Sequence, residues 1–242
     1  MKNNKITVCG IKYDDISLNK CIENALKKSE SGSCTVFTPN SEISEFAREN
    51  PKFLEIINSA DISVPDGEGV ILASRLAGNP ILNGKIAGVE LGLEIAKKAA
   101  EDGFSLFLLG GESNTAEIAA NNLKNKFRKL KIAGHLDGFS SLPFAAKQII
   151  KSKADIVFVC LGSPLQEEWI YKHRNDGAKI YIGLGGSIDI YAGKSRRAPK
   201  FMIKFKLEWL WRLFIQPSRI KRMLKIPKFL FAAAAQGLKN KV

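Results

Sequence analysis

The sequence predicts an α/β fold, in which a Rossmann-like, mostly parallel sheet is flanked by helices and followed by a helical C-terminal appendage. Three observations support it. Apolar runs of strand length alternate with amphipathic stretches, three of the runs lead into glycine-rich loops, and basic residues are concentrated at the end of the chain. We therefore divide the 242 residues into an α/β domain, 1–195, and a basic amphipathic helical appendage, 196–242.

The predicted strands are short and apolar, and they cover residues 35–37, 105–109, 156–161 and 179–184, with a further strand ending at Pro65. Stretches with helical periodicity lie between them, for example 116–127 and 144–151. Strands that are apolar throughout are typical of a parallel sheet covered by helices on both faces.

Glycine-rich loops follow three strands: LFLLGGES at 106–113, VFVCLGSPLQEEW at 157–169 and YIGLGGSIDIYAG at 181–193. Ligands of open parallel sheets bind at the carboxyl ends of the strands, where glycine lets the backbone approach a phosphate. The candidate nucleotide-binding residues are therefore Gly110, Gly111, Gly185 and Gly186. Each loop alone could equally be a plain turn. Ile188 occupies the last glycine position of the dinucleotide motif and no clear ribose-binding acid follows, which disfavours an NAD enzyme.

The segment DISVPDGEGV, residues 61–70, holds the candidate catalytic carboxylate. Asp66 follows a predicted strand end and precedes Gly67 on a tight turn, so its side chain can face a cleft. A partly buried carboxylate in that position can act as a general base on a sugar hydroxyl. The alternative is an ordinary Asp-Gly turn.

Polar residues at two other strand ends complete the candidate site. TPNSEI, residues 38–43, offers Thr38 as a second candidate catalytic residue and Asn40 as a sugar-binding residue. GSPLQEEW places Gln166, a candidate substrate-binding residue, at the start of a helix on the same edge. The alternatives are a helix N-cap at Asn40 or Ser41 and a helix-surface position for Gln166.

The sequence shows no signature of a metal centre or cofactor. A DxD motif or paired carboxylates that would chelate a nucleotide-bound divalent ion are not visible, so we predict metal-independent chemistry. His135 and His173 are isolated and are interpreted as structural or surface residues. The four cysteines are scattered without a CxxC pair, which indicates reduced thiols.

Charge is concentrated in the appendage. Residues 196–242 contain 13 of the 37 basic residues and one of the 24 acidic residues, Glu208, and so carry +12 of the net +13. A field confined to one segment indicates an anionic partner. An anionic membrane surface is one such partner. RNA is the rival, but a nucleic-acid-binding module leaves the glycine-rich strand ends and the Asp66 turn unexplained.

Aromatic residues interleave with these cations. Apolar side chains at i, i+4 spacing predict a helical stripe that lies on anionic lipid: Phe201, Phe205, Trp209 and Leu213. Pro217 and Pro227 are expected to divide the segment into two or three short helices. The alternative is that the stripe packs on the core of the α/β domain.

We expect a cytoplasmic protein that is peripheral at the inner face of the cell membrane. The opening MKNNKITVCGIKYDD reaches acidic residues before any sufficient apolar run, unlike a signal peptide. Nowhere does the chain contain the roughly 18 consecutive uncharged apolar residues that a spanning helix requires.

Five segments, TPNSEI, ADISVPDGEGV, GSPLQEEW, GGSIDIYAGKSRRAP and EWLWRLFIQPSRIKRM, resemble in order and spacing the WecG/TagA/CpsF family of bacterial glycosyltransferases. The resemblance covers the chain from about residue 6 to residue 230. It implies inverting, metal-independent transfer of an N-acetylmannosamine-type sugar from a UDP donor to the GlcNAc of an undecaprenyl-diphosphate-linked acceptor. Such enzymes act at the cytoplasmic membrane face in cell-surface polysaccharide synthesis, for example of the teichoic acid linkage unit.

The resemblance also implies residue roles. Asp66 matches the base proposed to deprotonate the acceptor 4-hydroxyl, Thr38 and Asn40 match active-site polar residues, and Gln166 matches the glutamine of a GxPxQE motif. Three appendage arginines match residues thought to reach the acceptor diphosphate: Arg212, Arg219 and Arg222.

One segment, NPILNGKIAGVEL at 79–91, departs from the family pattern. Lys85 stands in for the family arginine and Gly84 for a glutamate, which keeps a point charge for phosphate but loses the bidentate fork. A nucleotide-sugar enzyme of another reaction type stays an alternative, as does a basic RNA- or membrane-binding module without transferase activity. A homo-oligomer is compatible with the sequence.

Overall fold

The computed structural model describes residues 5–140, 142–215, 217 and 220–240, except for the side chains of Lys200, Arg212, Lys221 and Arg222. Its central sheet has six strands, all parallel, in the order β4-β3-β8-β7-β5-β6, which confirms the predicted fold class. The strands are β3 (Cys34–Phe37), β4 (Ile62–Ser63), β5 (Ser105–Gly110), β6 (Lys131–Leu136), β7 (Ile156–Cys160) and β8 (Ile180–Gly183).

Helices cover both faces of this sheet, and the strands β3, β8, β7 and β5 each contribute to two cores. On β5, Leu106 and Leu108 belong to one buried cluster, whereas Phe107 and Leu109 belong to the other. This two-sided burial is the reason that the central strands are mostly apolar. The helices up to residue 191 are α1 (Leu18–Ser29), α2 (Ser41–Glu49), α3 (Pro51–Asn58), α4 (Glu68–Leu76), α5 (Gly88–Asp102), α6 (Thr115–Lys126), α7 (Leu142–Ser152), α8 (Leu165–His173) and α9 (Ser187–Tyr191).

A separate antiparallel hairpin, β1 (Lys5–Val8) and β2 (Ile11–Asp14), precedes the sheet and was not predicted. Its two-residue turn has φ of 50° at Cys9 and 85° at Gly10. Both values are positive, as tight hairpin turns require, but Cys-Gly lacks the Asn-Gly signature of such turns. Asp14 accepts a hydrogen bond from the Ser63 N–H at 2.8 Å, which joins the hairpin to β4.

The last helix, α13 (Lys225–Lys239), packs on the α/β core. Phe229 and Ala233 are fully buried in the same cluster as the apolar face of α4. At Gly237 the backbone passes so close to the Leu76 carbonyl that a β-carbon would collide with it. Gln236 accepts a hydrogen bond from the Cys9 N–H at 2.7 Å. The end of the basic appendage is therefore anchored to the globule.

The preceding helices, α10 (Lys200–Lys204), α11 (Glu208–Ile215) and α12 (Ile220–Met223), are short. Lys206 has φ of 64° between α10 and α11, so the continuous helical stripe predicted from Phe201 to Leu213 is wrong as a single helix. Its aromatic members are nonetheless exposed, with Phe201 at 61%, Phe205 at 67% and Trp209 at 48% of full exposure. Across the described residues, no helix combines the length and apolarity needed to cross a bilayer.

The anchoring of α13 can be tested with two phenylalanines on opposite faces of the helix. Phe229→Ala removes a fully buried ring and should lower the free energy of unfolding by about 3–5 kcal/mol. Phe231→Ala is the matched control, because that ring is 77% exposed. Chemical denaturation measures both variants. Equal changes in the two would contradict the packing described for α13.

Candidate active site

A polar cleft of about 390 Å³ lies at the carboxyl ends of three neighbouring strands, β3, β8 and β7. The loops that follow these strands form its floor, and α11 of the appendage contributes Glu208, Trp211 and Ile215 to its wall. Because parallel strands end at one edge, residues far apart in sequence meet here. The predicted site residues that line the cleft are Thr38, Asn40, Asp66, Gln166, Gly185 and Gly186.

Thr38 and Asn40 follow β3 and are held by local hydrogen bonds. The Thr38 hydroxyl donates to the Gly183 carbonyl of β8 at 3.2 Å. Asn40 is the N-cap of α2, and its Oδ1 accepts hydrogen bonds from the Glu42 and Ile43 N–H groups at 2.9 and 3.0 Å. The capping alternative is therefore what the structure shows for the side-chain oxygen, which leaves the amide NH₂ as the group that a ligand could contact.

Asp66 lies on a tight turn between β4 and α4. Its N–H donates to the Pro39 carbonyl at 3.2 Å, and the preceding Pro65 carbonyl accepts from the Ile86 N–H at 2.8 Å. Gly67 has φ of 93°, a conformation that favours glycine. The turn therefore fixes the backbone at Asp66. The Asp66 residue is partly buried and lines the cleft.

Gln166 and Glu167 are buried at the start of α8, with 3% and 2% exposure. Gln166 Oε1 accepts a hydrogen bond from the Gly185 N–H at 2.9 Å, and Nε2 donates to Glu167 Oε1 at 2.7 Å. Burial raises the pKa of Glu167 to about 7, although hydrogen bonds from Gln166 and Ser163 act in the opposite direction. Gln166 is thus an interior residue of the cleft and not a helix-surface residue.

The two predicted glycine pairs differ in their surroundings. Gly185 has φ of 51° and, with Gly186, forms part of the cleft at the start of α9. Gly110 and Gly111 do not line the cleft that the described residues outline. A β-carbon on Gly110 would collide with the backbone of Cys160, and one on Gly111 would press on Thr115. Close packing therefore explains why glycine occupies positions 110 and 111.

Asp189 is a cleft residue that the sequence reasoning missed, since no clear ribose-binding acid was recognised after the glycines. It lies three residues beyond Gly186, in the first turn of α9. Burial raises the pKa of Asp189, the Glu112 charge raises it further, and Lys194 lowers it. A carboxylate in this wall can accept hydrogen bonds from ligand hydroxyl groups. The short distance in sequence between Gly186 and Asp189 was the signal that could have indicated this residue.

A second cavity, an apolar groove of about 570 Å³, adjoins the cleft. Four residues line both cavities and so mark their junction: Asn40, Glu42, Asp66 and Glu208. The groove runs between α4 and the appendage, with apolar walls formed by Ile71, Leu72, Trp209, Met223, Ile226, Pro227 and Leu230. A polar ligand in the cleft and an apolar ligand in the groove would therefore meet at these residues.

Lys85 lies in the groove and is engaged by carboxylates. It forms an ion pair with Glu208 and lies 3.8 Å from Glu68, which also pairs with Lys206 at 3.2 Å. The single acid of the basic appendage thus contacts the lysine that was expected to meet phosphate. A phosphate would have to compete with Glu208 for this cation.

The side chains of the three predicted appendage arginines lie outside the described part of the structure. Arg219 lies outside the described residues, as do the side chains of Arg212 and Arg222, whose backbones belong to α11 and α12. Two arginines that the sequence reasoning missed, Arg196 and Arg197, line the cleft. Arg197 pairs with Glu90, and the Trp211 indole N–H donates to the Arg196 carbonyl at 3.0 Å, which joins α11 to the rim of the cleft.

Among the described residues, no group of three or more His, Cys, Asp and Glu side chains is arranged to hold a metal ion. Metal-independent chemistry stays a prediction.

Comparison with known proteins places this geometry in context. The model of the glycosyl transferase WecG/TagA/CpsF family matches residues 6–242. An N-acetylglucosaminyldiphosphoundecaprenol N-acetyl-beta-D-mannosaminyltransferase of Bacillus spizizenii is 39% identical over 199 residues, which cover 81% of this chain and 77% of the relative. A Bacillus subtilis enzyme of the same name is 34% identical, with 97% of this chain and 93% of the relative covered. The corresponding figures for one from Staphylococcus aureus strain MRSA252 are 33%, 98% and 95%.

The raised pKa of Glu167 makes the stability of the protein depend on pH. The folded protein retains the proton up to about pH 7, whereas an ordinary glutamate loses it near pH 4.5, so ionisation of this group opposes folding as the pH rises. Relative to Glu167→Gln, the wild type should lose about 2 kcal/mol of unfolding free energy between pH 5 and pH 8. Urea denaturation measures this difference. Glu168→Gln is the exposed control, and an equal dependence there would contradict the assignment.

Proposed function

The chain belongs to the WecG/TagA/CpsF family of glycosyl transferases, and on that premise we propose that it transfers N-acetylmannosamine from a UDP donor to the GlcNAc of an undecaprenyl-diphosphate-linked acceptor. The names of the relatives give this acceptor and this sugar for those proteins. The observation that carries the proposal for this chain is the position of Asp66 at the junction of a polar cleft and an apolar groove. The product would serve cell-surface polysaccharide synthesis, such as the teichoic acid linkage unit.

In this proposal the cleft binds the UDP-sugar. The loop of Gly185 and Gly186 leaves room for a ligand in the cleft, the guanidinium of Arg196 suits phosphate oxygens, and the Asp189 carboxylate suits hydroxyl groups. The leaving UDP develops negative charge that cations must balance if no metal takes part. The appendage arginines Arg212, Arg219 and Arg222 are the proposed source of additional charge.

The groove receives the acceptor. Its apolar walls suit the first part of a polyprenyl chain, and the groove ends beside Asp66, where the acceptor sugar would lie. Asp66 removes the proton of the acceptor 4-hydroxyl as that oxygen forms a bond to the anomeric carbon of the donor. The bond from that carbon to the UDP oxygen breaks, and UDP leaves with the electron pair. A single displacement of this kind inverts the anomeric configuration.

The appendage would hold the enzyme at the membrane that contains this acceptor. Several large apolar side chains of residues 201–238 are exposed beside lysines: Phe201, Phe205, Trp209, Phe214, Ile220, Leu224, Phe231 and Leu238. Apolar side chains interleaved with cations bind anionic bilayers by insertion and by charge, with about 1 kcal/mol for each basic residue near the surface. The proposed location is the inner face of the cytoplasmic membrane.

Asp66→Asn tests the assignment of the base. An amide cannot accept the hydroxyl proton, so the rate of transfer should fall by roughly 10²–10⁴-fold while UDP binding is retained. UDP release from UDP-N-acetylmannosamine with a synthetic GlcNAc-diphosphate-lipid measures the rate, and calorimetry measures UDP binding. Asp102→Asn, at the C-terminal end of α5, is the control. Full activity of Asp66→Asn would contradict the proposal.

Membrane binding can be tested at two exposed rings of the appendage. Replacement of both Phe201 and Phe205 by Ser should reduce flotation with vesicles that contain anionic lipid, because each ring contributes insertion into the interface. Phe139→Ser is the matched control, since this ring is 78% exposed but lies on the loop after β6. Unchanged flotation, together with retention of the protein on RNA at the same salt concentration, would favour the nucleic-acid-binding alternative.

A further inference from the structure

We propose that Glu167 is a positioning residue, which holds the Gln166 amide in one orientation and thereby fixes both this side chain and the Gly185 loop for the donor. The proposal rests on the proposed function for the identity of the ligand, a UDP-sugar. It rests on the geometry of α8 and the β8 loop for the role of the carboxylate.

The hydrogen bonds around Gln166 permit one orientation of its amide. The Gly185 N–H can only donate, so the Gln166 atom at 2.9 Å from it must be the oxygen. The NH₂ group then faces Glu167 Oε1, 2.7 Å away, which can accept. Glu167 thus accepts a hydrogen bond from the amide nitrogen of Gln166, and Gly185 donates one to the amide oxygen. An amide nitrogen carries two hydrogens, so one is left for an oxygen of the donor in the cleft.

The same contacts join two walls of the cleft. Gln166 belongs to the start of α8, whereas Gly185 belongs to the loop between β8 and α9. A β-carbon on Gly183 would lie 3.2 Å from Gln166 Nε2, so glycine at that position gives the amide its space. Loss of the Glu167 contact would leave the amide held by the Gly185 N–H alone, so that the Gln166 side chain would move more freely and release this N–H more often. Both effects would loosen the cleft at the proposed phosphate site.

Glu167 is poorly explained as a stabilising residue. The carboxyl group is 2% exposed, and among the described residues it takes part in no ion pair. A buried carboxyl group without a counter-ion opposes folding, and an apolar side chain of similar size commonly fits such a position without loss of stability. A residue that lowers stability but organises a cleft is expected at a functional site.

The test compares five variants of the full chain, one of them a double variant. Glu167→Met removes the hydrogen-bond acceptor and should lower kcat/KM for UDP-N-acetylmannosamine at least about 10-fold without lowering Tm. Glu167→Gln retains an acceptor oxygen and should restore most of that loss. Glu168→Met is the exposed control and should leave kcat/KM unchanged. Glu167→Met in a Gln166→Ala background should add little to the loss caused by Gln166→Ala alone, because both remove the same arrangement.

Three results would overturn the proposal. First, the effects of the Glu167 and Gln166 substitutions on kcat/KM could be independent and additive. Second, Glu167→Gln could lose as much activity as Glu167→Met. Third, a fall in Tm could account for the lost activity. Hydrogen exchange at the Gly185 amide gives a readout that needs no substrate. It should accelerate in Glu167→Met even if the protein acts on another donor, and unchanged exchange would reject the positioning role whatever the substrate.

Discussion

The site depends on the parallel pairing of β3, β8 and β7. Since parallel strands all end at one edge, the pairing brings Thr38 to Gly183, 145 residues later in the chain, and to the loop after Cys160. Helices on both faces bury the strands completely, which makes this edge the place where the sheet can expose polar loops. The cleft is therefore a consequence of the topology, and the loops determine its chemistry.

Different parts of the basic appendage do different things: the last helix packs on the α/β core, and the short helices α11 and α12 before it line the cleft and the groove. Its last helix is anchored by Phe229 and by the close approach of Gly237 to α4, so the end of the chain belongs to the globule. Between this anchor and the rim contact of Trp211, the end of α11 contributes Ile215 to the cleft and α12 contributes Met223 to the groove. Trp209 on α11 is half exposed and lines the groove.

The carboxyl groups of the site are arranged in two different ways. Glu167 is buried without an ion pair among the described residues, and Lys85 is shared between the carboxylates of Glu68 and Glu208. A diphosphate that bound Lys85 would have to displace Glu208.

Composition and periodicity were sufficient to predict the parallel α/β class, because strands buried on both faces are mostly apolar. The motifs TPNSEI, DISVPDGEGV and GSPLQEEW indicated residues that the fold brings to one cleft, because polar residues directly after a strand are visible in the sequence. The hairpin β1–β2, the break at Lys206 and the cleft residues Asp189, Arg196 and Arg197 were not recognised. The sequence also could not separate Gly185, which lines the cleft, from Gly110, which packs on Cys160. Only the tertiary structure decided these points, because each depends on which distant backbone or side chain lies opposite, and local patterns do not encode that partner.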